Sequence, residues 1–254
     1  MQFGVCASLE DARWIPKAGA DYIETNVQTF LRPTEATWQP PPDVASLLPI
    51  PVCNCFLPND LKVTGPDADL KRLETYAKRT FERARKMGTT IIVFGSGPSR
   101  RAPDGWPRQD AERQFIEAVR LLGPLADAEG ITLALEPLRR AETNVLNTVA
   151  EGLNLLRRAD APSVAILCDL YQMTAENEPL SHLDDAKGFL AHCHIAEPAS
   201  RGVPTPGKAD YRPFFAQLKR IGYDRRISLE CVWKDLKAQL VPTLDFLRRE
   251  WKSA

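Results

Sequence analysis

Four acidic side chains and one histidine lie where apolar, strand-like runs of this sequence end. Glu24 closes the second run, Glu136 the fifth, Asp169 the sixth, His194 the seventh and Glu230 the eighth. A buried carboxylate without a partner costs several kcal/mol or becomes protonated. Three carboxylates gathered around one point stay ionised only if a cation neutralises them. One imidazole and three carboxylates form an oxygen-rich ligand set, which suits Mn²⁺, Mg²⁺ or Co²⁺.

Two of these acids also have purely structural explanations. Arg139 and Arg140 follow Glu136 closely and are its alternative partners. Asp169 could cap a helix that follows its strand. Asp169 or Glu230 taken alone would be explained better by a structural role.

The last two strand-like runs present the same choice. His192 precedes His194 by two residues, and we expect the two rings to face opposite sides of the strand, with at most one inside a barrel. Glu230 could form an ion pair with Lys234. The occurrence of such residues at equivalent ends of four successive strands nevertheless favours a metal site.

Apolar segments rich in Val, Ile and Leu alternate eight times with longer segments of helical periodicity. The predicted strands are 3–7, 22–25, 52–56, 90–95, 131–136, 164–170, 191–196 and 227–231. The predicted helices are 9–17, 43–48, 69–87, 110–129, 148–159, 183–189, 211–221 and 234–251. Strict alternation of this kind indicates a parallel sheet, and eight repeats close it. We therefore predict one (β/α)8 TIM-barrel domain over residues 1–254, with its active face formed by the loops after the strands.

The composition excludes several classes of partner. Lys and Arg together equal Asp and Glu, 33 against 33, so the chain has no global field to attract nucleic acid or a membrane surface. We find no apolar run long enough to span a bilayer, and the first residues lack a secretion signal. The six cysteines lie in or beside apolar runs and are interpreted as buried thiols. We expect a cytoplasmic protein with neither nucleic acid nor membrane as a partner.

Four segments resemble one known family. They are Glu-Pro-Leu-Arg-Arg-Ala-Glu-Thr-Asn from Glu136, Asp-Leu-Tyr-Gln from Asp169, His-Cys-His-Ile-Ala-Glu from His192 with Arg201 after it, and Ile-Ser-Leu-Glu ending at Glu230. Together they are similar to the sugar phosphate isomerase/epimerase family of xylose isomerase-like barrels. That family includes the ketose 3-epimerases and hydroxypyruvate isomerase, and the resemblance covers almost the whole chain.

The resemblance implies a metal-dependent sugar isomerase or epimerase. Glu136, Asp169, His194 and Glu230 would bind one divalent ion, with Mn²⁺ the first choice and Mg²⁺ or Co²⁺ the alternatives. Glu136 and Glu230 would also act as the acid/base pair. The substrate would be a small keto-sugar, and a homodimer or homotetramer is expected from the family.

Three further residues would contact the substrate by the same resemblance. Glu142 and Arg201 would contact its hydroxyl groups. Gln172 stands where many members have a histidine that contacts the substrate near the reacting carbons. Glutamine donates a hydrogen bond, but it cannot become a cation or shuttle a proton. This departure weakens an assignment to the ketose epimerases in particular.

The implied chemistry has several possible outcomes. A metal bound by a carbonyl and the adjacent hydroxyl would stabilise an enediolate, and two carboxylates would take and return the proton. Return to the opposite face is epimerisation, and return to the neighbouring carbon is isomerisation. Loss of a leaving group would instead make the protein a dehydratase or a lyase acting on a keto-sugar conjugate. The sequence does not choose between these outcomes.

Two other functions remain as alternatives. Apurinic-site endonucleases share this barrel, but their site needs several metals and many histidines, whereas this chain has three. The second alternative is a sugar-binding scaffold without catalysis. A scaffold becomes the better interpretation if Glu136 or Glu230 points away from the active face.

Overall fold

The strands form a closed parallel barrel. The computed structural model describes residues 1–44 and 47–254, and in it each strand pairs with its sequence neighbours while the first and last strands also pair. The strands are β1 (Gln2–Cys6), β2 (Tyr22–Asn26), β3 (Val52–Asn54), β4 (Ile91–Phe94), β5 (Thr132–Leu135), β6 (Val164–Asp169), β7 (Leu190–Ile195) and β8 (Arg226–Leu229). The predicted (β/α)8 barrel is therefore confirmed.

Helices connect the strands on the outside of the barrel. They are α1 (Leu9–Ala12), α2 (Val27–Phe30), α3 (Leu70–Lys86), α4 (Gly97–Arg100), α5 (Arg108–Ala128), α6 (Val149–Ala159), α7 (Leu170–Ala175), α8 (Arg212–Arg220) and α9 (Leu236–Ser253). Five predicted helices match α3, α5, α6, α8 and α9 to within two residues at either end. None of the helices in the described ranges is long and apolar enough to cross a membrane.

Two predicted helices differ from the structure. The helix predicted over 9–17 divides into α1 and a separate 3₁₀ turn, Ile15–Ala18, because Pro16 lacks the N–H that a continuous helix requires. The helix predicted over 183–189 is wrong. A 3₁₀ turn, Leu180–Asp184, covers only the first two of these residues, and the chain then runs through turns to β7.

One predicted helix cannot be compared with the structure. The helix predicted over 43–48 includes residues 45 and 46, which lie outside the described residues.

The cysteines are all free, but they are not all buried. Cys53, Cys168 and Cys193 are buried, as predicted. Cys55 is exposed: it directly follows the last residue of β3 and adopts a left-handed φ of 52°. The prediction of buried thiols is therefore wrong for Cys55, and Cys6 and Cys231 are only half-buried.

The floor of the active site is a small apolar cluster on the strands. Its buried members are Tyr22, Val52, Ile91, Val93, Ala134, Leu167 and Ala191. Residues two apart on a strand share a face, so Ala134 and Leu167 lie on the same faces as Glu136 and Asp169. The polar side chains at the strand ends consequently lie next to a layer of buried apolar side chains. A much larger apolar core packs the helices against the barrel.

Candidate active site

Glu136, Asp169, His194 and Glu230 converge at the carboxyl-terminal end of the barrel. Each offers one ligand atom, and these atoms all lie within 4.8 Å of one another. Asp169 is the last residue of β6 and lies opposite His194 in the register of β6 and β7. Glu136 and Glu230 directly follow β5 and β8. We call these four residues the strand-end cluster, and the structure brings together all the residues that sequence reasoning assigned to a metal.

The contacts within the strand-end cluster suit a cation. His194 Nδ1 lies 3.1 Å from Glu136 Oε1 and 3.5 Å from Glu230 Oε2. Asp169 Oδ1 accepts the Tyr171 N–H at 2.8 Å, so Asp169 does cap the helix that follows its strand. Its other oxygen, Oδ2, is buried and has no hydrogen-bond partner among the residues that the structure describes. An unpaired buried carboxylate oxygen is costly, and a bound cation would satisfy it.

Burial and mutual repulsion perturb the acids of the strand-end cluster. Burial, with the charge of Glu230 added, raises the pKa of Asp169 to about 7. Burial also raises the pKa of Glu136. Burial acts on Glu230 in the same direction, but His194 and Arg201 outweigh it, and the pKa of Glu230 falls below its usual value. The cluster thus contains more carboxylates than its own positive charges can keep ionised, which favours a divalent cation.

The alternative partners of Glu136 are engaged elsewhere. Arg139 Nε donates to Glu142 Oε1 at 2.8 Å, and Arg140 forms an ion pair with Glu176. Glu136 points into the active face, toward the strand-end cluster. The ion-pair explanation of Glu136 is therefore wrong, because the loop after β5 directs both arginine side chains to other acids.

Glu230 likewise has a partner other than the one considered. Arg201 Nη2 donates to Glu230 Oε2 at 2.6 Å, so the carboxylate pairs with Arg201 and not with Lys234. Arg201 Nη1 also lies 3.7 Å from Glu142 Oε1. Arg201 therefore connects the strand-end cluster to Glu142 at the mouth of the site.

Gln172 holds the loop after β5 in place. Its Oε1 accepts the backbone N–H of Arg139 at 2.9 Å, and its Nε2 donates to Glu142 Oε1 at 3.4 Å. The guanidinium carbons of Arg139 and Arg201 lie 5.2 Å and 5.4 Å from the ring centre of Tyr171. Gln172 and Tyr171 thus fix the positions of charged groups at the rim of the site.

Both histidines of β7 face the interior of the barrel. His192 Nε2 lies 2.8 Å from Glu24 Oε2, and His194 Nε2 lies 2.9 Å from Glu24 Oε1. The prediction that His192 and His194 face opposite sides is wrong, because side chains two apart on a strand share a face. Glu24 lies beneath the strand-end cluster, and all three side chains are fully buried.

Sequence reasoning also missed the buried guanidinium group of Arg100 beside the site. Arg100 is fully buried in α4, where Nη2 donates to the backbone carbonyl of Glu136 at 2.6 Å and Nη1 to that of Phe94 at 3.2 Å. It ties together the ends of β4 and β5 and fixes the backbone at Glu136. No periodicity marks Arg100 in the sequence, because it belongs to a four-residue helix within a loop.

The structure also bears on the scaffold alternative. A scaffold would be favoured if the side chain of Glu136 or Glu230 turned away from the active face. Neither does, because both side chains contact His194 at the active face. The strand-end cluster contains one of the three histidines of the chain, which is fewer than a site for several metals requires.

Known proteins share both the sequence pattern and the fold. The family model described as xylose isomerase-like TIM barrel matches residues 13–250. The L-ribulose 3-epimerase of Methylomonas sp. (strain DH-1) is 33% identical over 137 residues, which are 48% of this chain and 48% of that protein. The 3-dehydro-D-guloside 4-epimerase of Escherichia coli (strain K12) is 29% identical over 164 residues, 63% of this chain and 62% of that protein. The chain thus spans about half to three fifths of the length of these curated relatives.

A solved structure extends the likeness over nearly the full length. D-allulose 3-epimerase from Methylomonas sp., in complex with D-allulose, has a TM-score of 0.82 and 24% sequence identity, and the match covers 98% of this chain and 97% of that one. At that identity the likeness establishes the fold alone. Because the family model covers almost all of the sequence, the chain belongs to the xylose isomerase-like TIM barrel family.

Proposed function

We propose that this chain is a divalent-metal-dependent sugar epimerase or isomerase that acts on a keto-sugar or a related small carbonyl compound. The observation that carries the proposal is the convergence of the strand-end cluster within 4.8 Å at the catalytic end of the barrel. The relatives named as 3-epimerase and 4-epimerase support the reaction class.

The strand-end cluster would hold one divalent cation. Its three carboxylates and single imidazole suit Mn²⁺ best, with Mg²⁺ or Co²⁺ as alternatives. The unpartnered Oδ2 of Asp169 and the two carboxylates beside His194 Nδ1 support this assignment. When bound, the cation polarises the substrate carbonyl and stabilises the negative charge that develops as a neighbouring carbon loses its proton.

Glu136 and Glu230 are the proposed acid/base pair. They extend from β5 and β8, so they approach the active face from two different strands. One carboxylate would remove the proton from the carbon beside the carbonyl, and the other would return a proton. Arg201, bonded to Glu230 at 2.6 Å, would orient that carboxylate and favour its ionised form.

Glu142 and Arg201 are proposed to bind the substrate directly, and Gln172, expected from the sequence to do the same, is proposed to act through Glu142. Glu142 and Arg201 lie at the mouth of the site, with about a quarter of each side chain exposed, so both can contact hydroxyl groups. Gln172 is almost fully buried and already bonds Arg139 and Glu142. We therefore assign Gln172 a part in holding Glu142 toward the substrate and no part in proton transfer.

Solvent deuterium exchange tests the proposal directly. The purified protein is incubated in D₂O with Mn²⁺ and a panel of ketoses, keto-acids and keto-glycosides, and deuterium in recovered substrate is measured by mass spectrometry. We expect exchange that requires the metal and is lost in Glu230→Gln. The matched control is Glu82→Gln, the same chemical change in an exposed ion pair of α3, which should exchange as the wild type does. Metal-independent exchange, or full exchange in Glu230→Gln, would contradict the proposal.

A further inference from the structure

We propose that Glu24 is a positioning residue of the metal site, whose carboxylate fixes the tautomer of His194 so that Nδ1 is left free to bind the cation. The inference rests on the proposed function in one respect, the binding of a divalent cation by the strand-end cluster. It goes beyond that function because it assigns a role to a residue outside the ligand set.

The first step is the hydrogen bond between Glu24 and His194. Glu24 Oε1 lies 2.9 Å from His194 Nε2, and both side chains are fully buried. An ionised carboxylate can only accept hydrogen bonds, so Nε2 must carry the hydrogen. In a neutral ring the lone pair is then on Nδ1. That nitrogen faces Glu136 and Glu230 at 3.1 Å and 3.5 Å, which is the side where the cation would bind.

The second step is the set of donors that hold Glu24 in this orientation. Glu24 Oε2 accepts from Ser228 Oγ at 2.6 Å and lies 2.8 Å from His192 Nε2. The Tyr22 hydroxyl is 2.8 Å from Ser228 Oγ and extends the network toward the floor of the barrel. Both oxygens of Glu24 are thus engaged, and rotation of the carboxylate away from His194 would break two further bonds.

The third step concerns the hydrogen that His192 shares with Glu24. His192 Nε2 lies 2.8 Å from Glu24 Oε2, and an ionised carboxylate can only accept, so Nε2 carries this hydrogen. Among the described residues, His192 Nδ1 is buried and has no hydrogen-bond partner. Glu24 therefore accepts one N–H from each of the two histidines of β7.

The chemical consequence is a carboxylate–histidine–metal arrangement. A carboxylate that accepts the second ring N–H of a ligating histidine orients the ring and raises its basicity, and loss of such a partner typically weakens metal binding by about 10- to 100-fold. The competing explanation is that Glu24 only satisfies His192, Ser228 and Tyr22 in the barrel interior. That explanation predicts an effect on stability without an effect on the tautomer of His194.

The test compares Mn²⁺ affinity in two variants and a matched control by isothermal titration calorimetry. Glu24→Gln keeps the side-chain volume but has a single acceptor oxygen, so it cannot accept from both histidines. We expect its Mn²⁺ dissociation constant to rise by about 10- to 100-fold. Ser228→Ala removes one bond to Oε2 and leaves the bond between Oε1 and His194, so we expect it to raise the dissociation constant less than Glu24→Gln does, whatever it loses in thermal stability. The matched control is Glu82→Gln, the same chemical change in an exposed ion pair of α3, which should bind Mn²⁺ as the wild type does.

A second measurement requires no variant. ¹⁵N-histidine NMR of the wild-type protein loaded with diamagnetic Zn²⁺ reports the tautomer of each of the three histidines. We expect His194 to carry its proton on Nε2. A proton on Nδ1 of His194, or equal Mn²⁺ affinity in Glu24→Gln and wild type, would overturn the inference about Glu24. Neither result would contradict the proposed metal site itself. If the wild type bound no divalent cation at all, the proposed function and this inference would fall together.

Discussion

Replacing Gly95 with alanine should disable the active site without unfolding the protein. Gly95 follows β4, and the pairing of Phe94 with Leu135 places it beside Glu136. A Cβ at residue 95 would lie 2.2 Å from Glu136 Oε2. Non-bonded heavy atoms prefer separations of about 3.5 Å, so the carboxylate must move by about 1 Å.

The expected loss follows from that displacement. A misplacement of about 1 Å at a catalytic group can cost roughly 100-fold in rate, or about 2.7 kcal/mol of activation free energy. The displaced atom is the end of a flexible side chain, so we expect the free energy of unfolding to fall by no more than about 1–3 kcal/mol. Deuterium exchange and Mn²⁺ titration measure the damage to the site, and chemical denaturation measures the change in the free energy of unfolding.

Gly152→Ala is the control for this variant. Its Cβ would lie 2.6 Å from Ile166 Cδ1, a comparable clash between α6 and β6 that does not involve Glu136. We expect it to lose stability and to keep the exchange rate of the folded fraction. If Gly95→Ala exchanged deuterium and bound Mn²⁺ as well as the wild type does, the assignment of Glu136 to the site would be refuted.

Three further predictions concern the metal and the rim of the site. Chelation of the metal with EDTA should abolish deuterium exchange. Adding Mn²⁺ to the chelated protein should then raise its melting temperature in a thermal shift assay, because a cation relieves repulsion among the three clustered carboxylates. An unchanged melting temperature would count against the metal site. Arg201→Met removes the charge-assisted hydrogen bond to Glu230, worth about 1.5–3 kcal/mol, so kcat/KM should fall by about 10- to 100-fold. Gln172→Leu leaves the backbone N–H of Arg139 without its acceptor, and the free energy of unfolding should fall by about 1–3 kcal/mol, measured in urea. A change within about 0.5 kcal/mol would mean that water replaces the Gln172 oxygen at no cost.

The barrel was predictable because its strands are buried runs with clear boundaries. The strand predicted over 131–136 includes β5, and the long outer helices match because their apolar faces recur over many turns. The short helices α2, α4 and α7 were not predictable. Helices of four to six residues depend on local caps, such as Asn26 before α2 and Asp169 before α7, more than on periodicity.

The candidate site was predictable only in its upper layer. Glu136 and its three companions lie at strand ends, which a parallel barrel brings to one face. The layer beneath depends on hydrogen bonds among Glu24, His192 and Ser228, which are far apart in sequence and meet only through the register of the closed barrel. The inward orientation of His192 was available from the two-residue period of a strand. The hydrogen bond between His192 and Glu24 could not be predicted from that period.

The central claim is that four side chains, at positions 136, 169, 194 and 230, bind one divalent cation. Anomalous diffraction from a crystal grown with Mn²⁺, collected on both sides of the manganese absorption edge, tests it most directly. We predict one strong peak per chain, within bonding distance of Glu136, Asp169, His194 Nδ1 and Glu230. A peak bound by other residues, or none at saturating Mn²⁺, would contradict the account.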